Sequence, residues 1–183
     1  MSLLSPIFIL LAAFLAVYGE SSIVFFRNIL GAQIDLLPAL MVYTSLTMGL
    51  ISIALLAVIG GLLFDSVSAN PLGISVVPLL LIGVAIHRFH GLLLRDQFYA
   101  QLAFGTAASL LTPLLALLIL LSSDSNPLVG WGTFWQLMVM GLGGGLLTPV
   151  CFWVLDSLNR ALNYQPVSQN SFRPDRQIKR GRA

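Results

Sequence analysis

Charge is what this chain has least of. Nine Lys and Arg with seven Asp and Glu make up 9% of its 183 residues, against about 25% in a soluble domain. So few charged groups cannot cover a protein of this size with a polar surface. Cysteine is almost missing as well. Cys151 stands alone, so no intramolecular disulfide and no thiolate zinc site can form. Its place in an apolar run makes it a small hydrophobe. Basic residues are scarce over most of the chain. Only Arg27, Arg88 and Arg95 precede residue 160, against six acids, a net of −3. The last 24 positions hold Arg160, Arg173, Arg176, Lys179, Arg180 and Arg182 against Asp175, a net of +5. The basic character is therefore that of a tail. No basic patch with interleaved aromatics occurs, which excludes the usual nucleic-acid surface.

What is abundant is apolar surface, 57% of the residues. Stretches 1–19, 36–64, 66–87, 97–123 and 125–155 contain no Asp, Glu, Lys or Arg. A helix needs about 20 apolar residues to cross a ~30 Å hydrocarbon core, and a lone strand cannot satisfy its backbone there. The expected fold is an all-α polytopic membrane protein. A helical domain covers residues 1–160 and a basic tail covers 161–183. The tail is rich in Pro, Gln, Asn and Ser and predicts disorder in isolation.

The first span is expected over residues 3–18, retained rather than cleaved, since no positive segment precedes it and Glu20 closes the run. Connector 19–35 mixes Ile23, Val24, Phe25, Phe26, Ile29 and Leu30 with Arg27 and Asn28. That pattern fits an interfacial amphipathic helix or a loop whose aromatics touch headgroups. Run 36–64 fits one long tilted helix, or two short ones broken near Thr44–Gly49. Six spans follow from the second division, with five as the alternative. Asn70-Pro71 and Gly73 mark a turn, and Pro71 suits the first turn of a helix reaching residue 87. Pro113 is expected to bend span 97–121. The last span covers 134–157, with Trp131 and Trp135 as interface anchors. Gly141, Gly143, Gly144 and Gly145 form a bare face for close helix approach.

Arginine placement sets the expected orientation. The C-terminal tail is cytoplasmic, loop 122–132 outside, loop 88–96 inside, and the Asp65–Gly73 turn outside. Two division schemes then differ only in the side of the N-terminus: inside for six spans, outside for five.

Few residues suggest chemistry. His87 and His90 are three apart but lack a third ligand. Asp65 closes an apolar block, where a helix-terminating or inter-helix hydrogen bond is the first expectation. Asp156 and Arg160 have the order of an i,i+4 ion pair. The Ser and Thr hydroxyls within spans can bond back to their own helix. No Ser/His/Asp arrangement and no phosphate loop occur, so an enzyme is not expected and no cofactor is implied. A proton pathway would need a buried chain of acids, and only Asp65 and Asp156 lie near the spans, both toward membrane faces.

Three motifs carry a resemblance. Asp35-Leu36-Leu37-Pro38 leads into an apolar stretch, Gly60-Gly61-Leu62-Leu63-Phe64-Asp65 closes it, and Pro71-Leu72-Gly73 follows. With Pro149 among aromatics near a basic terminus, they make residues 3–160 similar to the rod shape-determining protein MreD family. The tail and the His87–His90 pair have no counterpart in that pattern. The resemblance implies a non-enzymatic component of the bacterial cell-elongation machinery in the cytoplasmic membrane. It implies binding to a bitopic MreC-like protein, and coupling of actin-like filaments to the cell-wall synthases that build peptidoglycan. It also implies a six-helix fold similar to substrate-binding components of energy-coupling-factor transporters, with room for a central cavity. Structural or partner-contact roles then fall to Gly60, Gly61, Asp65, Asn70, Pro71, Gly73, Gly141, Gly145 and Pro149. The basic tail residues face the cytoplasm. A small-molecule-binding transporter subunit is the alternative, because fold does not fix function.

Overall fold

The computed structural model describes residues 4–22, 31–68, 70–89, 98–122 and 130–162. Every regular element among them is helical, and no strand occurs there. Helix α1 is Leu4–Ser22, α2 Leu37–Thr47, α3 Leu50–Val67, α4 Val76–Phe89, α5 Phe98–Ser122 and α6 Trp131–Leu162. Within α3 a single π turn, Leu56–Gly60, separates two α-helical ends. Three helices are long and apolar enough to cross a membrane: Leu50–Val67, Phe98–Ser122 and Trp131–Ala161. Shorter apolar helices cover Ile7–Glu20, Leu37–Thr47 and Val76–Phe89. Large apolar side chains stand on the outside, among them Leu15, Ile51, Leu142 and Trp153, each more than 60% exposed. A water-facing surface of this kind would be a strong aggregation liability, whereas lipid is its natural solvent. The coarse expectation of an all-helical membrane protein stands on these two facts.

The uncharged run 36–64 divides. Helix α2 ends at Thr47, Met48 and Gly49 are extended with ψ of 175° and 170°, and α3 starts at Leu50. One continuous helix over that run is therefore ruled out. The cause is local. Hydroxyls of Thr44, Ser45 and Thr47 each donate to the carbonyl one turn back, at 2.8, 2.7 and 2.7 Å, which bends and weakens a helix end. Gly49 then leaves helical geometry at little cost.

Other boundaries shift as well. Helix α1 passes residue 18 and carries Glu20 inside it, because that carboxylate finds a backbone partner, described below. Residues 72–75 form a turn and α4 begins only at Val76, so Pro71 precedes the helix rather than occupying its first turn. Gly73, at φ +94°, makes the reversal that delays α4, a conformation side chains other than glycine rarely adopt. Pro113 is retained inside an unbroken α5. Residues 23–30, within the connector read as an interfacial helix or a loop, lie outside the described residues. So do residues 90–97, with His90, residues 123–129, and the tail with Arg173, Arg176, Lys179, Arg180 and Arg182.

Helix α2 is the centre of the assembly. All nine residues from Leu37 to Ser45 are buried, and α1, α3, α4, α5 and α6 all pack on it. The most extensive pairing is between α5 and α6. Gly105 faces Thr148, while Gly144 and Gly145 face Ser109 and Thr106. A Cβ added at Gly105 would lie 2.6 Å from Thr148 Cβ. The two backbones can approach this closely only because those positions are bare. In lipid, where no water is expelled, such contact supplies the attraction between helices.

Candidate functional site

A helix of 11 residues extends only about 16 Å, roughly half a hydrocarbon core. Its first nine residues are buried in the helix bundle and its C-terminal end is half-buried, and each end needs polar partners. Four orphan N–H groups and four orphan C=O groups come with any helix, and an unpaired one away from water is costly. Among the described residues, several polar side chains meet that need.

At the N-terminal end, the Leu37 amide donates to Asp35 Oδ1 at 2.8 Å. The preceding amide, Leu36 N–H, donates to Glu20 Oε1 from α1. Two acids thus sit on consecutive backbone donors at the positive end of a helix dipole. Pro38 occupies the first helical turn, where no donor is lost. The depth of this end follows from its neighbours. Ile34 would meet any Cβ added at Gly143, near the middle of α6. Leu37 packs on Gly60, with Cδ1 3.1 Å from the position of a Cβ there.

At the other end, His87 Nδ1 lies 3.0 Å from the Ser45 carbonyl oxygen. Tyr43 donates its hydroxyl to Asp156 Oδ1 at 3.0 Å and stands edge-on to Phe152 at 5.0 Å. Arg160 Nε reaches the Asp156 backbone carbonyl at 3.3 Å, so the contact within that i,i+4 pair runs to the main chain. Helices α1, α4 and α6 are thereby tied to one central rod, α2.

Asp65 makes a third polar junction, at the opposite end of α3. It is 2% exposed. Its Oδ2 accepts from Gly73 N at 2.8 Å and Ser75 N at 3.1 Å, capping the entry to α4. Among the described residues its Oδ1 is buried without a partner. Gly61 lets α4 dock there, since a Cβ would lie 3.0 Å from the Val76 backbone nitrogen. Asn70 is half-buried and Pro71 exposed in the same turn. Gly141 faces Leu110, and Gly145 lies beside Thr106. Pro149 lines a groove between α5 and α6.

The motif residues therefore fall into separate junctions: Asp35–Pro38 at the start of α2, Gly60 beside Leu37, and Gly61, Asp65 and Gly73 at the α3–α4 turn. What the sequence reading missed is the pairing of Glu20 with Asp35. By position in the sequence Glu20 only closes an apolar run, and Asp65 and Asp156 are the acids near the spans. One signal was present. An Asp two residues before an amide and three before a Pro is the local pattern of a helix entry. Comparison with protein-family models, curated proteins and solved structures finds no match for this chain.

Proposed function

We propose that this protein is a non-enzymatic membrane scaffold of the bacterial cell-elongation machinery. In this reading six helices cross the inner membrane, with α2 completing its crossing through the Gly31–Leu36 segment. Both termini then face the cytoplasm. Its partner is a bitopic MreC-like protein, through which it couples the cytoskeleton to peptidoglycan synthesis.

One observation supports this reading over its alternative most directly: the middle of the bundle is filled by the buried helix α2. A small-molecule-binding subunit needs convergent polar groups around a pocket. Here the hydroxyls of Thr44, Ser45, Thr106, Thr112 and Thr148 are spent on carbonyls of their own helices. Glu20, Asp35 and Asp65 accept from backbone amides at helix entries. A framework stiffened in this way suits holding partners in register. Of the motifs that resemble the MreD family, Asp35–Pro38 and Gly60–Asp65 also lie at its packing junctions.

The test is genetic and biochemical. Deletion should round the cells, and the solubilised protein should bring down a membrane-anchored coiled-coil partner. Rod-shaped deletion cells with normal wall insertion would sink the proposal. A tightly held vitamin-like ligand in the purified protein would favour the transporter reading instead.

A further inference from the structure

The polar ends of α3 and α4 lie close together for a membrane-spanning pair. At one end, Asp65 accepts from the Gly73 and Ser75 amides at 2.8 and 3.1 Å. At the other, His87 Nδ1 lies 3.0 Å from the Ser45 carbonyl oxygen, just before the Met48-Gly49 break from which α3 starts. From Ser75 to His87 the chain rises no more than about 18 Å, and from Leu50 to Asp65 about 22 Å. A typical hydrocarbon core is ~30 Å thick, and tilt only shortens the distance a helix spans. Helix α6 is built to a different height, since Trp131 to Asp156 rises about 37 Å.

The outward face of this pair is made of bulky side chains. Ile51, Val58 and Leu62 of α3 and Val77, Leu81 and Val84 of α4 are exposed. The glycines of the two helices point the other way: Gly60 toward Leu37, Gly61 toward Val76, and Gly83 toward Ile53 and Met41. Helix contacts within a membrane favour small residues, and here those residues already lie against the bundle interior. A surface of branched and leucine side chains is the kind that lipid tails cover. Its height is fixed by packing, because α4 rests on α2, α3 and α5. Arg88 is exposed and can lift its charge outward along its stem, but the turn bound to Asp65 has no such reach.

We propose that the α3–α4 flank is a surface for short-chain phospholipid, and that the bilayer thins beside it while keeping its ordinary thickness beside α6. Longer acyl chains must compress or tilt to meet the Asp65 turn on one side and the His87 level on the other, at a modest cost for each Å of mismatch. Shorter chains meet both levels without deformation. The surface has this property in any membrane, whether or not the chain acts as a scaffold.

Tryptophan fluorescence can read the two flanks separately, because Trp131, Trp135 and Trp153 all belong to α6. One full-length reporter keeps only Trp153, which is exposed. The other has all three replaced by Phe and carries Leu81→Trp on α4. Each is reconstituted in dimyristoleoyl, dioleoyl or dierucoyl phosphatidylcholine, and quenching by brominated dioleoyl lipid in competition gives the relative affinity for each chain length. At position 81 the shortest chain should be favoured over the longest roughly threefold or more, and at Trp153 it should not. Leu62→Trp on α3, also at an exposed position, should repeat the result at position 81. Arg88→Leu, which removes the charge beyond His87, should move the optimum at position 81 toward dioleoyl chains. The same chain-length preference at Trp153 and position 81, or none at either, would overturn the proposal. Absence of quenching at positions 81 and 62 would overturn it as well, by showing that protein and not lipid covers this flank.

Discussion

At the scale of single residues, this protein places carboxylates where backbone donors would otherwise be stranded. Asp35 and Asp65 do the same work at two helix entries, and Glu20 does it from a different helix. Removing such an acceptor strands a buried amide, at a cost of about 1–3 kcal/mol. Asp35→Ala should therefore lower the thermal unfolding midpoint in detergent, while Asp35→Asn, which keeps a side-chain oxygen, should recover most of the loss. Equal midpoints for the Ala and Asn variants would show that the cap contributes nothing. Little of this was legible beforehand. Asp35 has a local signature, but Glu20 reaches Leu36 across 16 positions, a separation that no periodicity encodes. Asp65 was more readable, because its two donors lie within ten residues, past a turn marked by Asn70, Pro71 and Gly73.

At the scale of elements, uncharged blocks gave the helices and charged residues gave most of their limits. Charge is silent at one break. Run 36–64 has no ionisable marker at its break, and the signals that end α2 are three hydroxyls and Gly49, each individually weak. Conversely, Glu20 looked like a terminator and proved compatible with a helix. The bare face of α6 was visible from its glycines, but its partner was not. Gly105 on α5 completes the close approach, and nothing in a single sequence matches one glycine to another. Gly105→Leu should separate α5 from α6, with an overpacking cost of about 1–3 kcal/mol or more. The readout is faster proteolysis or a lower midpoint, and Gly132→Leu, in open space, serves as the control. If the two variants behave alike, tight packing at Gly105 is not what holds this pair.

At the scale of the whole molecule, orientation remains the property that sequence argues best and packing does not address. With Cys151 replaced, single cysteines report sidedness through membrane-impermeant reagents. Positions 68 and 126 should react from outside the cell, and 2, 48 and 92 only after the membrane is opened. Reaction at position 48 from outside would remove the six-span scheme. The basic tail makes a further prediction. Its positive charges gain about 1 kcal/mol each near an anionic leaflet, so removing residues 165–183 should weaken membrane or partner association. The helical signal and unfolding midpoint should stay as they were. A truncated chain that no longer inserts would contradict this.

Burial of α2 also constrains how the protein is made. An 11-residue rod is too short to be integrated on its own hydrophobicity as it leaves the ribosome. Much of what encloses it, α4, α5 and α6, follows it in the chain. Chains interrupted between α3 and α6 would hold an unsheltered half-helix, with its acidic cap facing lipid. Quality-control proteases of the membrane would be expected to clear such fragments, so abundance should track completion of the last helix rather than insertion of the first.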